Sequence, residues 1–169
     1  MERKTRRRGW PGKNLKPFVE LIESVCPEDY TLKTLSEMTG EKVSTLSNIL
    51  NRDDMKLSKA EKIAQALGYK LRLYFPVRAR IGLDFSVRKE DYPQAGNLTG
   101  LAKYLYDSNI SIDRMCKRLG RAHSVLKNAF ANGDIALSTL MNVIDNLGID
   151  IIWKFESLNE DNYEECENL

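Results

Sequence analysis

Residues 31–50 read TLKTLSEMTGEKVSTLSNIL, and their pattern predicts two short helices joined by a tight turn at Gly40. In the second helix Val43, Leu46, Ile49 and Leu50 fall on one side at about 100° per residue. Ser44, Ser47, Asn48 and Asn51 fall on the other. A helix face that is merely solvated usually carries Glu and Lys at i,i+4 spacing. Ser and Asn are poor helix formers, so the composition of this face answers to something besides stability. Reading base edges is one such purpose, because Asn bonds adenine bidentately and Ser bonds either base type.

The stretch occurs twice. At an offset of 80, residues 31–75 lie over residues 111–155 without a gap. Gly40 meets Gly120, Ser44 meets Ser124, Leu46 meets Leu126 and Asn48 meets Asn128. Leu57-Ser58 meets Leu137-Ser138, Leu67-Gly68 meets Leu147-Gly148, and Phe75 meets Phe155. Turn residues and outer-face residues both recur, so the chain reads as two copies of one domain. The outer face of the second copy's helix carries Ser124, Lys127 and Asn128, against inward Leu126, Ala129 and Phe130.

These residues resemble the Cro/λ-repressor-like (XRE) helix-turn-helix family over roughly 14–67 and 95–147. The resemblance is carried by Leu35-Ser36, Gly40, Leu46 and Ile49, then by Ser58 opening a helix that ends at Leu67-Gly68. Both copies depart from the family where an apolar residue and a capping Ser usually follow the turn glycine: here stand Glu41-Lys42 and Arg121-Ala122. Val43 is expected to supply the missing apolar contact in the first copy, and His123 stands at the matching place in the second. The resemblance implies DNA binding with the second helix in the major groove. It also implies DNA-contacting candidates Lys42, Ser44, Ser47, Asn48 and Asn51 in one copy, and Arg121, His123, Ser124, Lys127 and Asn128 in the other. Candidate phosphate contacts are Arg6, Arg7, Arg8, Lys33, Arg114, Lys117 and Arg118.

Composition bounds the function. A content of 42% hydrophobic and 30% charged residues is that of an ordinary globular protein. No apolar run is long enough to span a membrane. MERKTRRRGW has no apolar stretch behind its charges and is not expected to be a secretory signal. Cys26, Cys116 and Cys166 show no paired spacing, which fits a reducing cytoplasm. Cys116 is expected to be a buried structural thiol. Residues 1–80 hold 17 Lys+Arg against 10 Asp+Glu, and residues 81–169 hold 9 against 14. A basic front and an acidic back favour an oriented nucleic-acid surface.

Taken in order, residues 1–13 form a basic arm suited to phosphates or the minor groove, with Trp10 expected to anchor it. Residues 14–76 form the first helix-turn-helix unit with its strand. Asn14 is placed to cap a first helix whose stripe is Phe18, Leu21, Ile22 and Val25, and Thr31 to cap the second. Ser58 and Glu61 have the spacing of a capping box. From Tyr69 the period changes to 2: Tyr69, Leu71, Leu73 and Phe75 share a face, as do Ile149, Ile151, Trp153 and Phe155. Alternation also continues from Val77 to Val87 within the strand-and-linker segment 77–94. Residues 95–155 form the second unit and 156–169 an acidic tail. The expected fold is mainly α: two tandem λ-repressor-like helix-turn-helix units joined by a small antiparallel β-sheet.

No catalytic constellation is visible. His123 is the only histidine, with no nucleophile paired to it, and the sequence holds no Gly-rich phosphate loop and no CxxC. No enzyme activity, cofactor or metal is expected. The expected function is sequence-specific binding of double-stranded DNA by a cytoplasmic prokaryotic or phage transcriptional regulator, with recognition helices near 42–51 and 122–131. The alternative is an adaptor or antitoxin-like protein in which one unit contacts a protein partner. A homodimer is compatible with either reading, and internal pairing of the two copies would also suffice for DNA.

Overall fold

The computed structural model describes residues 12–75 and 96–159. The first stretch folds as α1 (Lys16–Val25), α2 (Leu32–Thr39), α3 (Val43–Arg52), α4 (Leu57–Ala66) and strand β1 (Tyr69–Tyr74). The second opens with a 3-10 turn at Gly96–Leu98 and repeats the order: α5 (Thr99–Asp107), α6 (Ile112–Leu119), α7 (His123–Asn132), α8 (Leu137–Leu147) and β2 (Ile152–Ser157). The protein is mainly helical with a small two-stranded antiparallel sheet, and a helix-turn-helix fold is present. The segments 77–87 and 160–169, expected as a strand and the bulk of an acidic tail, lie outside the described residues, as does Trp10.

Local chemistry sets most of these boundaries. The Thr31 hydroxyl accepts from the Thr34 N–H and caps α2, and Ser111 does the same for α6 through Arg114. Gly40 and Gly120 end those helices in the left-handed conformation, at φ 73° and 62°, where a side chain would be strained. Leu46 and Leu126 are buried on the inner faces of α3 and α7.

Two of the expected caps are made differently. Asn14 does not cap α1. The flanking residue is Leu15, which has no side-chain cap, and the Asp53 carboxylate accepts from the N–H groups of Asn14 and Leu15, both at 3.0 Å. Asp53 itself ends α3 at φ 49°, and a Cβ at Gly12 would fall 2.2 Å from its Cγ. A side chain at position 12 would therefore displace the carboxylate that holds the start of α1. Nor do Ser58 and Glu61 form a capping box. Lys56 flanks α4 without a side-chain cap, and Glu61 accepts from the Asn97 amide at 2.8 Å. The Ser58 N–H and hydroxyl both donate to Asp134 of the other half, each at 2.9 Å.

The junction between the halves is reciprocal. Ser138 donates its N–H and hydroxyl to Asp54 at 2.9 and 2.7 Å, as Ser58 does to Asp134. Leu57 N–H donates to Ile135 C=O, and Leu137 N–H to Met55 C=O, both at 2.8 Å. Lys56 faces Ala136 in an isolated antiparallel bridge between these bonds. Leu57 and Leu137 are fully buried beside it, each contributing about 1.5–3 kcal/mol by burial.

The sheet is the second seam. β1 runs antiparallel to β2, from Tyr69 opposite Ser157 to Tyr74 opposite Ile152, with Leu73 opposite Trp153. Two strands alone are marginal; here each borrows cover from the opposite half. Phe155 meets Phe18 of α1 edge-on at 6.0 Å and stacks on Tyr69 at 5.4 Å. Phe75 lies against α5, where a Cβ at Gly100 would come within 3.1 Å of its ring. Across the strands Arg72 Nε and Tyr74 Oη donate to Glu156 at 3.0 and 2.6 Å. One continuous apolar cluster runs from Leu15 in the first half to Ile144 in the second. Neither half depends on the small core it could build by itself.

Candidate nucleic-acid interface

The pairs α2–α3 and α6–α7 present the candidate residues. Each pair is a short helix, a left-handed glycine and a helix of ten residues. On α3, Ser44, Asn48 and Asn51 are exposed and Ser47 is half-buried, while Leu46 is buried and Ile49 and Leu50 pack on the core. On α7, His123, Ser124, Lys127 and Asn128 are exposed, with Leu126 and Ala129 buried and Phe130 packed inward. Lys42 and Arg121, in the two turns, are exposed, as are Lys33, Arg114, Lys117 and Arg118. Arg6, Arg7 and Arg8 lie outside the described residues.

One assignment on this surface is corrected. Val43 does not fill the apolar place after the turn: it is 43% exposed. Val43 is the first residue of α3, at the end of the apolar stripe, and the helix end leaves it open to solvent. Periodicity put it at the margin of the apolar stripe, and only packing could decide which way it faced.

Ion pairs distinguish the two turns. Glu41 is held by Lys59 of α4 at 2.6 Å. His123 Nε2 lies 3.0 Å from Asp113 Oδ1 at the start of α6. This contact was not read from the sequence; the signal available was only that the two positions are ten apart across a turn. Cys116 is buried as expected, with its Sγ 3.8 Å from the His123 carbonyl.

Charge is distributed differently from the whole-chain trend. Across 31–52, Lys33, Lys42 and Arg52 oppose Glu37 and Glu41; across 111–132, Arg114, Lys117, Arg118, Arg121 and Lys127 oppose Asp113 alone. The segment that holds α6 and α7 is the more basic, at +4 against +1. The excess of positive charge in residues 1–80 comes largely from positions 1–11, 78 and 80.

The helical geometry now has an independent counterpart. Residues 26–74 match the helix-turn-helix family HTH_3. The matched span takes in α2, α3, α4 and β1. A helix-turn-helix domain of this type points to a DNA-binding transcription regulator, and such domains are typically not enzymes. No curated protein and no solved structure matches the chain. Among the described residues, no helix is long and apolar enough to cross a membrane, and no group of His, Cys, Asp and Glu could hold a metal ion.

Proposed function

We propose that this chain is a sequence-specific double-stranded DNA-binding regulator whose two halves act as an internal pseudo-dimer of Cro/λ-repressor-like units. The observation that carries this reading is the pairing of residues with their own repeat counterparts. Lys56 faces Ala136 and Leu73 faces Trp153; both pairs are separated by 80, the offset of the sequence repeat. A residue meets its own counterpart only near a two-fold axis, and the exchanged Ser58–Asp134 and Ser138–Asp54 contacts obey the same operator. A two-fold rotation preserves direction along its axis. Faces of α3 and α7 that point along this axis share one side of the molecule, as two half-sites of a duplex require. The spacing expected of the two recognition helices is about 34 Å, one helical turn of B-DNA.

Within this arrangement the halves divide the work. Ser44, Ser47, Asn48 and Asn51, flanked by Lys42, read bases in the first half-site. Arg114, Lys117 and Arg118 hold phosphates beside the second, where Arg121, His123, Ser124, Lys127 and Asn128 face the groove. Phosphate contacts position a protein without specifying sequence. The two half-sites should differ in sequence, because the two faces differ.

The test is selection of bound sequences from a random duplex pool, followed by gel shifts over a salt series. The expected result is an imperfect inverted repeat bound by one chain per duplex, with affinity falling steeply as salt rises. Failure to retain any duplex at low salt would overturn the reading in favour of a protein partner.

A further inference from the structure

We propose that Val43 reads the 5-methyl group of a thymine in the first half-site, an inference that rests on the DNA-binding reading above. Val43 is the first residue of α3 and is 43% exposed. Exposed Lys42 and Ser44 flank it. A valine at this place lies outside the apolar core cluster, and its branched side chain is a weak helix former. In a helix-turn-helix the amino-terminal residues of the recognition helix are the ones that reach base edges. In the major groove a T·A pair offers the thymine methyl as its apolar feature. Ser44, Ser47 and Asn48 on the same face satisfy the donors and acceptors of neighbouring pairs, which leaves Val43 for the group that cannot hydrogen-bond. The counterpart in the second half is His123, polar and 3.0 Å from Asp113, so the methyl contact belongs to one half-site alone.

The experiment takes a duplex recovered by the wild-type chain from a random pool and replaces each thymine singly with deoxyuridine. This change removes the methyl and leaves the hydrogen-bonding edge intact. For wild-type protein, one substitution in one half-site should weaken binding about four-fold, the worth of one buried methyl-sized group. For Val43→Ser, which replaces the apolar side chain with a polar one, the same thymine and deoxyuridine duplexes should bind alike. Val43 is exposed, so the variant keeps the core, and the deoxyuridine scan on wild-type protein needs no variant at all. Tight, salt-sensitive binding with no deoxyuridine effect, or an effect that persists in Val43→Ser, overturns the methyl contact and leaves DNA binding standing. No binding to any duplex overturns both.

Discussion

Asp134 holds the amino terminus of α4 from the opposite half of the chain: its two carboxylate oxygens accept from the Ser58 N–H and hydroxyl, each at 2.9 Å, across 76 positions of sequence. Asp54 does the same for Ser138. The first N–H groups of a helix have no partner inside it, and each half supplies the other's cap.

Removing either carboxylate should therefore weaken the whole chain. Asp134→Ala and Asp54→Ala should each cost about 0.5–2 kcal/mol, the range for loss of a helix cap. Urea unfolding followed by circular dichroism measures this. If both variants unfold at the wild-type midpoint, the exchanged caps contribute nothing to stability.

Glu61 gives stability a pH dependence. Burial raises its carboxyl above the ordinary value, the Asn97 amide opposes the rise, and nearby Asp134 adds to it. The folded chain then holds this proton at pH values where the unfolded chain has released it. A carboxyl shifted upward contributes stability when protonated and loses it as pH rises from the usual carboxylate range through the raised value. Glu61→Gln should flatten that part of the stability–pH curve while keeping the acceptor for Asn97. A wild-type curve that already rises through this range, with no change in the variant, would contradict the assignment.

The basic side chains around α6 should dominate the salt response. Lys117→Gln and Arg118→Gln should each lower the slope of log affinity against log salt by about 0.9, the value for one phosphate contact. They should weaken all duplex sequences alike. Slopes equal to wild type would place these residues away from the backbone.

Base reading should instead be lost through the first half. On the selected duplex Asn48→Ala should cost about 1–3 kcal/mol and relax one base position, and Asn128→Ala should cost less. Binding isotherms at one salt concentration, on protein checked for folding, rank the two. Equal losses would mean that the two helices read bases to the same extent, and reversed losses would assign the reading mainly to α7.

Much of the fold was legible in the sequence because it follows from local rules. Periodicity located the buried faces of α3 and α7 around Leu46 and Leu126. Glycine marked the turns at Gly40 and Gly120, Thr31 was placed correctly as a cap, and the shift to period 2 marked the strands near Tyr69 and Trp153. The outward positions of Asn48 and Asn128 followed from the same 100° step.

What the sequence determined by itself was the set of features fixed by near neighbours: the turns at Gly40 and Gly120, the Thr31 cap and the buried faces around Leu46 and Leu126. Tertiary structure alone decided which groups meet across the halves. Ser58 and Glu61 have capping-box spacing, yet Ser58 bonds Asp134 and Glu61 bonds Asn97. Asn14 could cap α1, yet Asp53 accepts the N–H groups there. Val43 lay at the edge of an apolar stripe, and packing left it exposed. The physical reason is common to all three. A hydrogen bond or a contact goes to whichever partner the completed fold brings within reach: the reciprocal loops bring Asp134 to Ser58, the end of α3 brings Asp53 to the start of α1, and the fold leaves Val43 uncovered.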